Sequence, residues 1–263
     1  MSKKNQISKL ASIDRKARIG SNVKIEPFAL IQADVEIGDG CYIGSHAVIH
    51  NGARIGSNCS IFPGAVISTF PQDMKYSGEA TTAEIGNNTT IREYASVNKG
   101  TNHSGKTVVG NNVMLMAYSH VAHDCIIKDH AILANAVNLA GHIVIEEWAI
   151  IGGMSAIHQF CRIGKHAILA GGSLVGKDVP PFTKAAFLPL KYAGVNSVGL
   201  KRRGYDQNSI HAIQDIYRLL YNSGLNVSQA VARIESDIPP GEEKDDILRF
   251  IRSSERGVMK GVA

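Results

Sequence analysis

The chain has 263 residues, 44% hydrophobic and only 6% aromatic, with a formal net charge of +5. That length and apolar content can bury a sizeable core, and the modest charge is dispersed: residues 197–263 carry ten basic against nine acidic side chains. A nucleic-acid stripe is therefore excluded, while an acidic partner or a phosphorylated substrate is not. At the amino end Lys3 and Lys4 have no apolar segment behind them and no long apolar run follows, the profile of a soluble cytoplasmic protein.

From Ile7 to Val175 every sixth residue is aliphatic, with Asp73, Glu79 and His103 the three exceptions in twenty-nine positions. Four residues after each aliphatic comes a mostly small one, such as Ala29, Ala47, Ala65, Ala131 or Ala167. A period of six is neither helical nor the simple alternation of a flat sheet. It describes a coil of short strands whose branched side chains point inward, a parallel β-helix. Gly at the corners, as in Ile19-Gly20, Ile43-Gly44 and Ile163-Gly164, suits the tight turns. Cys41, Cys59, Cys125 and Cys161 all fall on the small inward position, at spacings of 18, 66 and 36, so they read as core residues. No CxxC supports a zinc ribbon or a redox pair.

Two stretches interrupt the ladder: residues 68–84, STFPQDMKYSGEATTAE, and 98–108, NKGTNHSGKTV. The flanking aliphatics lie 18 and 12 residues apart, so each excursion returns the chain to the same frame. Surface loops tolerate insertion, and for the second loop that reading weighs as much as a functional one. For the first, Asp73 and Lys75 on a rigid scaffold favour contact with substrate.

Histidines crowd the next segment, in SHVAHDC (119–125), LAGH (139–142) and IHQFC (157–161). His123 comes two residues after the inward Val121 and His142 three after the inward Leu139, so neither is a core position. Beyond Pro180-Pro181 the hexads stop. Ile210, Ile213, Ile216 and Leu220 have helical spacing, with Asp206 or Asn208 as N-cap and Ser223-Gly224 as stop. Further helices are expected over Val227–Glu235 and Glu242–Ser254. They cap the prism, and Arg218, Arg249, Arg252 and Arg256 read as solvated faces that also suit an acidic carrier.

The hexads resemble those of the hexapeptide-repeat acyltransferases, and that resemblance implies a mainly β fold: a left-handed, triangular β-helix, three hexads per eighteen-residue coil, usually a homotrimer. Coils stack ~4.8 Å apart. In that frame His123, Gly141 and Gln159 form one column and Asp124, His142 and Phe160 the next. An imidazole near its unperturbed pKa can take a hydroxyl proton at neutral pH, and a backbone N–H such as that of Gly141 can stabilise an oxyanion by roughly 3 kcal/mol. The expected division is a β-helix over 1–196 and a helical domain over 197–263.

Longer motifs narrow the resemblance. PQDMKYSGE (71–79), SHVAHDC, NLAGH (138–142), IIGGMSAIHQFC (150–161), DVPP (178–181) and GVNSVGLKRRG (194–204) are similar to the UDP-N-acetylglucosamine O-acyltransferases of lipid A synthesis. That family moves a 3-hydroxyacyl chain from acyl carrier protein to the sugar 3-hydroxyl, with no cofactor or metal. The resemblance makes His123 the base, Asp124 its partner and Gly141 the oxyanion donor. Asp73 and Lys75 would touch the sugar from a neighbouring subunit, with His120, His142, His158 and Gln159 shaping the cleft. Asn196, Arg202 and Arg203 would meet the nucleotide, where Arg suits phosphate through its forked donors, and Gly171 would set acyl length. Two positions depart: Val198 replaces a frequent Glu, and Asn98 a frequent His, which lowers the weight on the 98–108 loop as a participant in the chemistry. Three rivals stand beside this reading: an N-acyltransferase acting on a UDP-glucosamine derivative, which carries an extra amino-terminal domain; a trimeric carbonic anhydrase with zinc on His120, His123 and His142; and a non-catalytic scaffold.

Overall fold

The computed structural model describes residues 4–261. Short parallel strands stack into three sheets, which form a left-handed β-helix of triangular section, mainly β as the repeat pattern implies. Sheet I begins at Gln6–Ile7, sheet II at Ser12–Ile13 and sheet III at Arg18–Ile19, and the chain visits them in rotation. Most partners are eighteen residues apart, as in His120↔Asn138 and Ile126↔Val144. Two coils are longer, with Val66 paired to Ser96 and Ser96 to His120.

The ladder aliphatics line the axis: Ile43, Ile61, Ile91, Val121, Ile127 and Leu133 are completely buried. A buried side chain of this size contributes about 1.5–3 kcal/mol. All four cysteines are free and buried. Their thiols point inward, with Cys125 Sγ 3.1 Å from Ala140 O, and burial pushes Cys125 up to about 12 and Cys161 to about 11. Neither is a nucleophile at neutral pH.

At each coil the residue that turns a corner adopts a left-handed conformation, as do Tyr118, Asp124, His130, Ala136, His142, Trp148 and Met154. These residues carry side chains, so turn geometry here is not reserved for glycine. Both excursions leave from the corner between sheets II and III, in two successive coils, and the following coil turns that corner at residues 122–125. They are shorter than the sequence suggests, because strands Val66–Thr69, Thr82–Ile85, Ser96–Asn98 and Lys106–Val109 keep their lateral pairing. The free stretches are residues 70–81 and 99–105.

The last strand, Lys191–Val195, pairs antiparallel with Thr183–Ala186. Four helices follow: α1 Ser197–Arg202, α2 Gln207–Asn222, α3 Val227–Asp237 and α4 Glu242–Arg252. Helix α1 has no counterpart in the sequence reading; its six residues are too few to show a period, and Asn196 caps it by accepting from Gly199 N. Asp206 is the cap of α2. Tyr217, wholly buried, donates to Pro181 O at 2.6 Å and fastens the helices to the end of the prism. Among the described residues no helix is long and apolar enough to cross a membrane.

Candidate active site

The residue types at the II/III corner are those of the sequence motif, and the backbone explains how they meet. Adjacent side chains on a strand point apart, but Asp124 has φ +58, which turns its carboxylate back beside His123. Asp124 Oδ2 stands 2.7 Å from His123 Nδ1. Because an ionised carboxylate only accepts, Nδ1 is the donor, which in the neutral imidazole leaves the lone pair on Nε2. His123 is only 9% exposed, so pointing away from the core does not put it in open water.

The 99–105 loop holds the carboxylate beside it. Thr101 donates to Asp124 from its N–H at 3.0 Å and from Oγ1 at 2.7 Å; Ser104 donates from N–H at 3.3 Å and from its hydroxyl. Thr107 Oγ1 accepts from Asp124 N at 2.9 Å. Burial works against the charged carboxylate, but the hydrogen bonds from Ser104, His123 and Thr101 outweigh it and hold the group well below the usual carboxylate range. Asn98 itself is buried and bonds Phe70 O at 2.9 Å, while the loop beyond it holds Asp124, a contact that the weighting drawn from Asn98 did not anticipate. Sequence reasoning missed Thr101, Ser104 and Thr107 because a loop has no period; their only signal was a run of hydroxyl residues on the same corner as the histidines.

Gly141 lies directly against His123. A Cβ there would stand 2.5 Å from His123 Cε1 and 2.7 Å from Nε2, so only glycine lets the imidazole lie flat on the next coil. Among the described residues the Gly141 N–H has no acceptor, whereas Ala140 N donates to Ile157 O and His142 N to His123 O. A basic nitrogen and a free backbone donor therefore share one small surface.

His142 packs edge-on to His123, with ring centres 5.0 Å apart, and stacks on Phe160 at 4.6 Å. Burial lowers its pKa; Asp124 and, more weakly, Asp73 raise it, while His123 and His103 lower it further. Asp73 and Lys75 ride on the 70–81 loop, where Asp73 Oδ1 accepts from Lys75 N at 2.9 Å and Lys75 is exposed. His120 bonds Ser96 Oγ through Nδ1 at 2.8 Å, and burial, then the charge of His123, lowers its pKa. His158 and Gln159 are exposed on the same corner, further along the column.

Other residues singled out in the sequence lie elsewhere. Asn196, Arg202 and Arg203 belong to the helical cap beside the III/I corner, where Asn196 Nδ2 donates to His166 O at 2.9 Å. Gly171 occupies the I/II corner, against Gly153. One chain therefore spreads the expected site over all three edges. Arg218, Arg249 and Arg252 pair with Asp215, Asp246 and Glu235 of their own chain, and Arg256 donates to Gly176 O.

His123, Asp124 and His142 lie close enough to suggest a metal triad. The donor set does not fit one. Asp124 already receives donors at both oxygens, filling its roughly four lone-pair positions, and His123 Nδ1 is engaged with it. His142 Nε2, 3.9 Å from Oδ2, approaches a carboxylate with nothing left to give.

Comparison with known proteins identifies relatives along the whole chain. Residues 178–259 match the family model described as UDP-N-acetylglucosamine O-acyltransferase, domain 2, and residues 16–51 and 106–141 match bacterial transferase hexapeptide repeats. The acyl-(acyl-carrier-protein)–UDP-N-acetylglucosamine O-acyltransferase of Thermodesulfovibrio yellowstonii is 43% identical over 257 residues, covering 97% of this chain and 100% of that protein. The protein of the same name from Sulfurihydrogenibium is 51% identical, covering 96% and 94%. The crystal structure of a UDP-N-acetylglucosamine acyltransferase from Bacteroides fragilis, 46% identical, superimposes with a TM-score of 0.96, covering 97% of this chain and 100% of that one.

Proposed function

The chain belongs to the UDP-N-acetylglucosamine O-acyltransferase family, and from that premise we propose that it transfers a 3-hydroxyacyl chain from acyl carrier protein to the 3-hydroxyl of UDP-N-acetylglucosamine, the first step of lipid A synthesis, in the cytoplasm. The observation that carries this reading is the His123–Asp124 pair lying against the unpartnered N–H of Gly141.

In this reading His123 Nε2 takes the proton of the sugar hydroxyl as its oxygen attacks the thioester carbonyl. The carbonyl π electrons move to oxygen, and the Gly141 N–H receives the oxyanion of the tetrahedral intermediate. Asp124, ionised and locked by Thr101 and Ser104, keeps the proton on Nδ1 and steadies the imidazolium. Collapse re-forms the carbonyl, breaks the carbon–sulfur bond and releases the carrier's thiolate. No step requires a metal, a cofactor or a covalent enzyme intermediate.

The spread of Gly171, Asn196, Arg202 and Arg203 over the other two edges supports a homotrimer. The His123 corner of one prism would face the cap and the I/II corner of the next, so that His120, His142, His158 and Gln159 line one wall of each cleft, with Asp73 and Lys75 reaching the sugar from a neighbouring subunit. We also place the domain division at Asn196. The test offers UDP-N-acetylglucosamine together with 3-hydroxyacyl carrier proteins of graded chain length and detects product by mass spectrometry. One favoured length is expected; no product with any donor refutes the assignment.

A further inference from the structure

The III/I corner carries an aromatic stack that the chemistry at His123 does not use. His130 lies on Trp148 with ring centres 4.0 Å apart, Trp148 is followed by His166 at 6.3 Å, and His166 by Phe182 at 5.7 Å. Trp148 is the single tryptophan of the chain and is 36% exposed. Over the same ring lies Arg203, from the C-terminal end of α1, with Cζ 4.9 Å from the ring centre. Among the described residues Arg203 has no carboxylate partner, and its buried Nη1 has no acceptor. By contrast Arg162 is engaged with Glu146 and Ser253, and Arg249 with Asp246.

A guanidinium on a long stem is expensive to order, and here the ordering comes from a π face instead of an anion. A carboxylate partner would compete with an incoming phosphate; an indole fixes the cation while leaving its charge unspent. The indole is itself held, because it packs flat on His130 and lies in a stack that continues to the wholly buried Phe182. Tyr205, next but one to Arg203, meets the same stack through its hydroxyl, 3.3 Å from His166 Nε2.

We propose that Trp148 is a positioning residue for nucleotide recognition: its indole face holds the Arg203 guanidinium ready for the diphosphate of the nucleotide sugar. This rests on the reading in which Arg203 meets the nucleotide. The pair is joined across 55 positions of sequence, from a prism corner to the helical cap, so the docking of the cap completes the diphosphate subsite.

The test uses the full-length protein and two readouts. Emission from the sole tryptophan should change saturably on titration with UDP, and Arg203→Ala should abolish that change. In steady-state assays Trp148→Leu should raise KM for UDP-N-acetylglucosamine about tenfold with kcat within about twofold, the pattern of lost ground-state binding. Trp148→Phe, which keeps a π face, should restore KM to within about threefold of the parent. Arg203→Ala raising KM while Trp148→Leu leaves it unchanged overturns the role of Trp148 and leaves that of Arg203 standing. An unchanged KM in Arg203→Ala overturns the nucleotide reading itself. Should Trp148→Leu fail to fold, as a thermal melt would show, the absence of any UDP-dependent emission change in the parent overturns the proposal.

Discussion

Two corners of one prism, built from the same hexad and turned by the same left-handed residues, have become different machines. At the II/III corner the 99–105 loop sets His103 against His142, which stacks on Phe160, and brings hydroxyls and N–H groups to Asp124. At the III/I corner the rings of His130, Trp148, His166 and Phe182 follow one another as parallel ledges, with Arg203 of the helical cap over Trp148. The repeat supplies the same rigid ledge twice. On the proposed reading, chemistry belongs where the chain leaves the coil and returns with polar groups, and binding surface where a separate element docks.

If that contrast is right, changes at the first corner should remove kcat and changes at the second should not. The largest loss is expected for His123→Ala: about 10³-fold in kcat, within the range for a general base, with Tm unchanged to within a few degrees because the imidazole holds no core position. An undiminished kcat would leave the scaffold reading in its place. Gly141→Ala comes next. Its Cβ would press on His123 Cε1 at 2.5 Å, so the ring must move, and displacement of a catalytic group by about 1 Å costs on the order of 10²-fold. The drop should fall on kcat, and a variant of normal rate would show that His123 and Gly141 do not act as a pair.

Much of the first corner was legible beforehand because it follows the period. The frame put Ile127 and Cys125 inside, aligned His123 with Gly141, and set Asp124 under His142 and Phe160. What it could not show is what the loops do on their way back: Thr101 and Ser104 reach Asp124 through turns that no repeat dictates. The helical cap was legible where apolar spacing spans several turns, as over Ile210–Leu220, and illegible in α1, a helix of six residues. The Trp148–Arg203 contact was invisible for a related reason. It depends on how the cap docks, and no periodic pattern links the two segments.

The loop's grip on Asp124 gives a sharper, smaller test. The carboxyl is held below its ordinary value of 3.8 by hydrogen bonds from Ser104, His123 and Thr101 acting against burial. A depressed acid contributes stability that is present above 3.8 and lost only as pH falls through the lower folded value. Deleting two donors with Thr101→Val and Ser104→Ala leaves burial less opposed, so the folded pKa must rise. Activity should fall about tenfold at neutral pH, for two charge-assisted bonds to a partner of the base, and the acidic limb of kcat/KM should move to higher pH. A limb that stays in place would mean that Asp124 is not the group the loop serves.

The smallest effect belongs to the second corner and concerns stability alone. His166 is buried between Trp148 and Phe182, and burial, then the positive charges of Arg203 and Lys165, depress its pKa from 6.5 to about 4, with Glu147 a weaker pull upward. The direction is the same as for Asp124, although here it is the neutral form that the fold favours: between 6.5 and about 4 the unfolded chain binds a proton that the folded chain refuses, so stability falls as pH falls through that window. His166→Phe keeps a ring in the stack and removes the titration. Its Tm, referred to its own value at pH 7.5, should decline less than the parent's by a few degrees at pH 4.5, the scale of one to two kcal/mol in a domain of roughly this size. Parallel declines would show that the docked imidazole accepts its proton freely. The same comparison with kcat as the readout at pH 7.5 should find parent and variant within about twofold, since no proton in the acyl transfer passes through this corner.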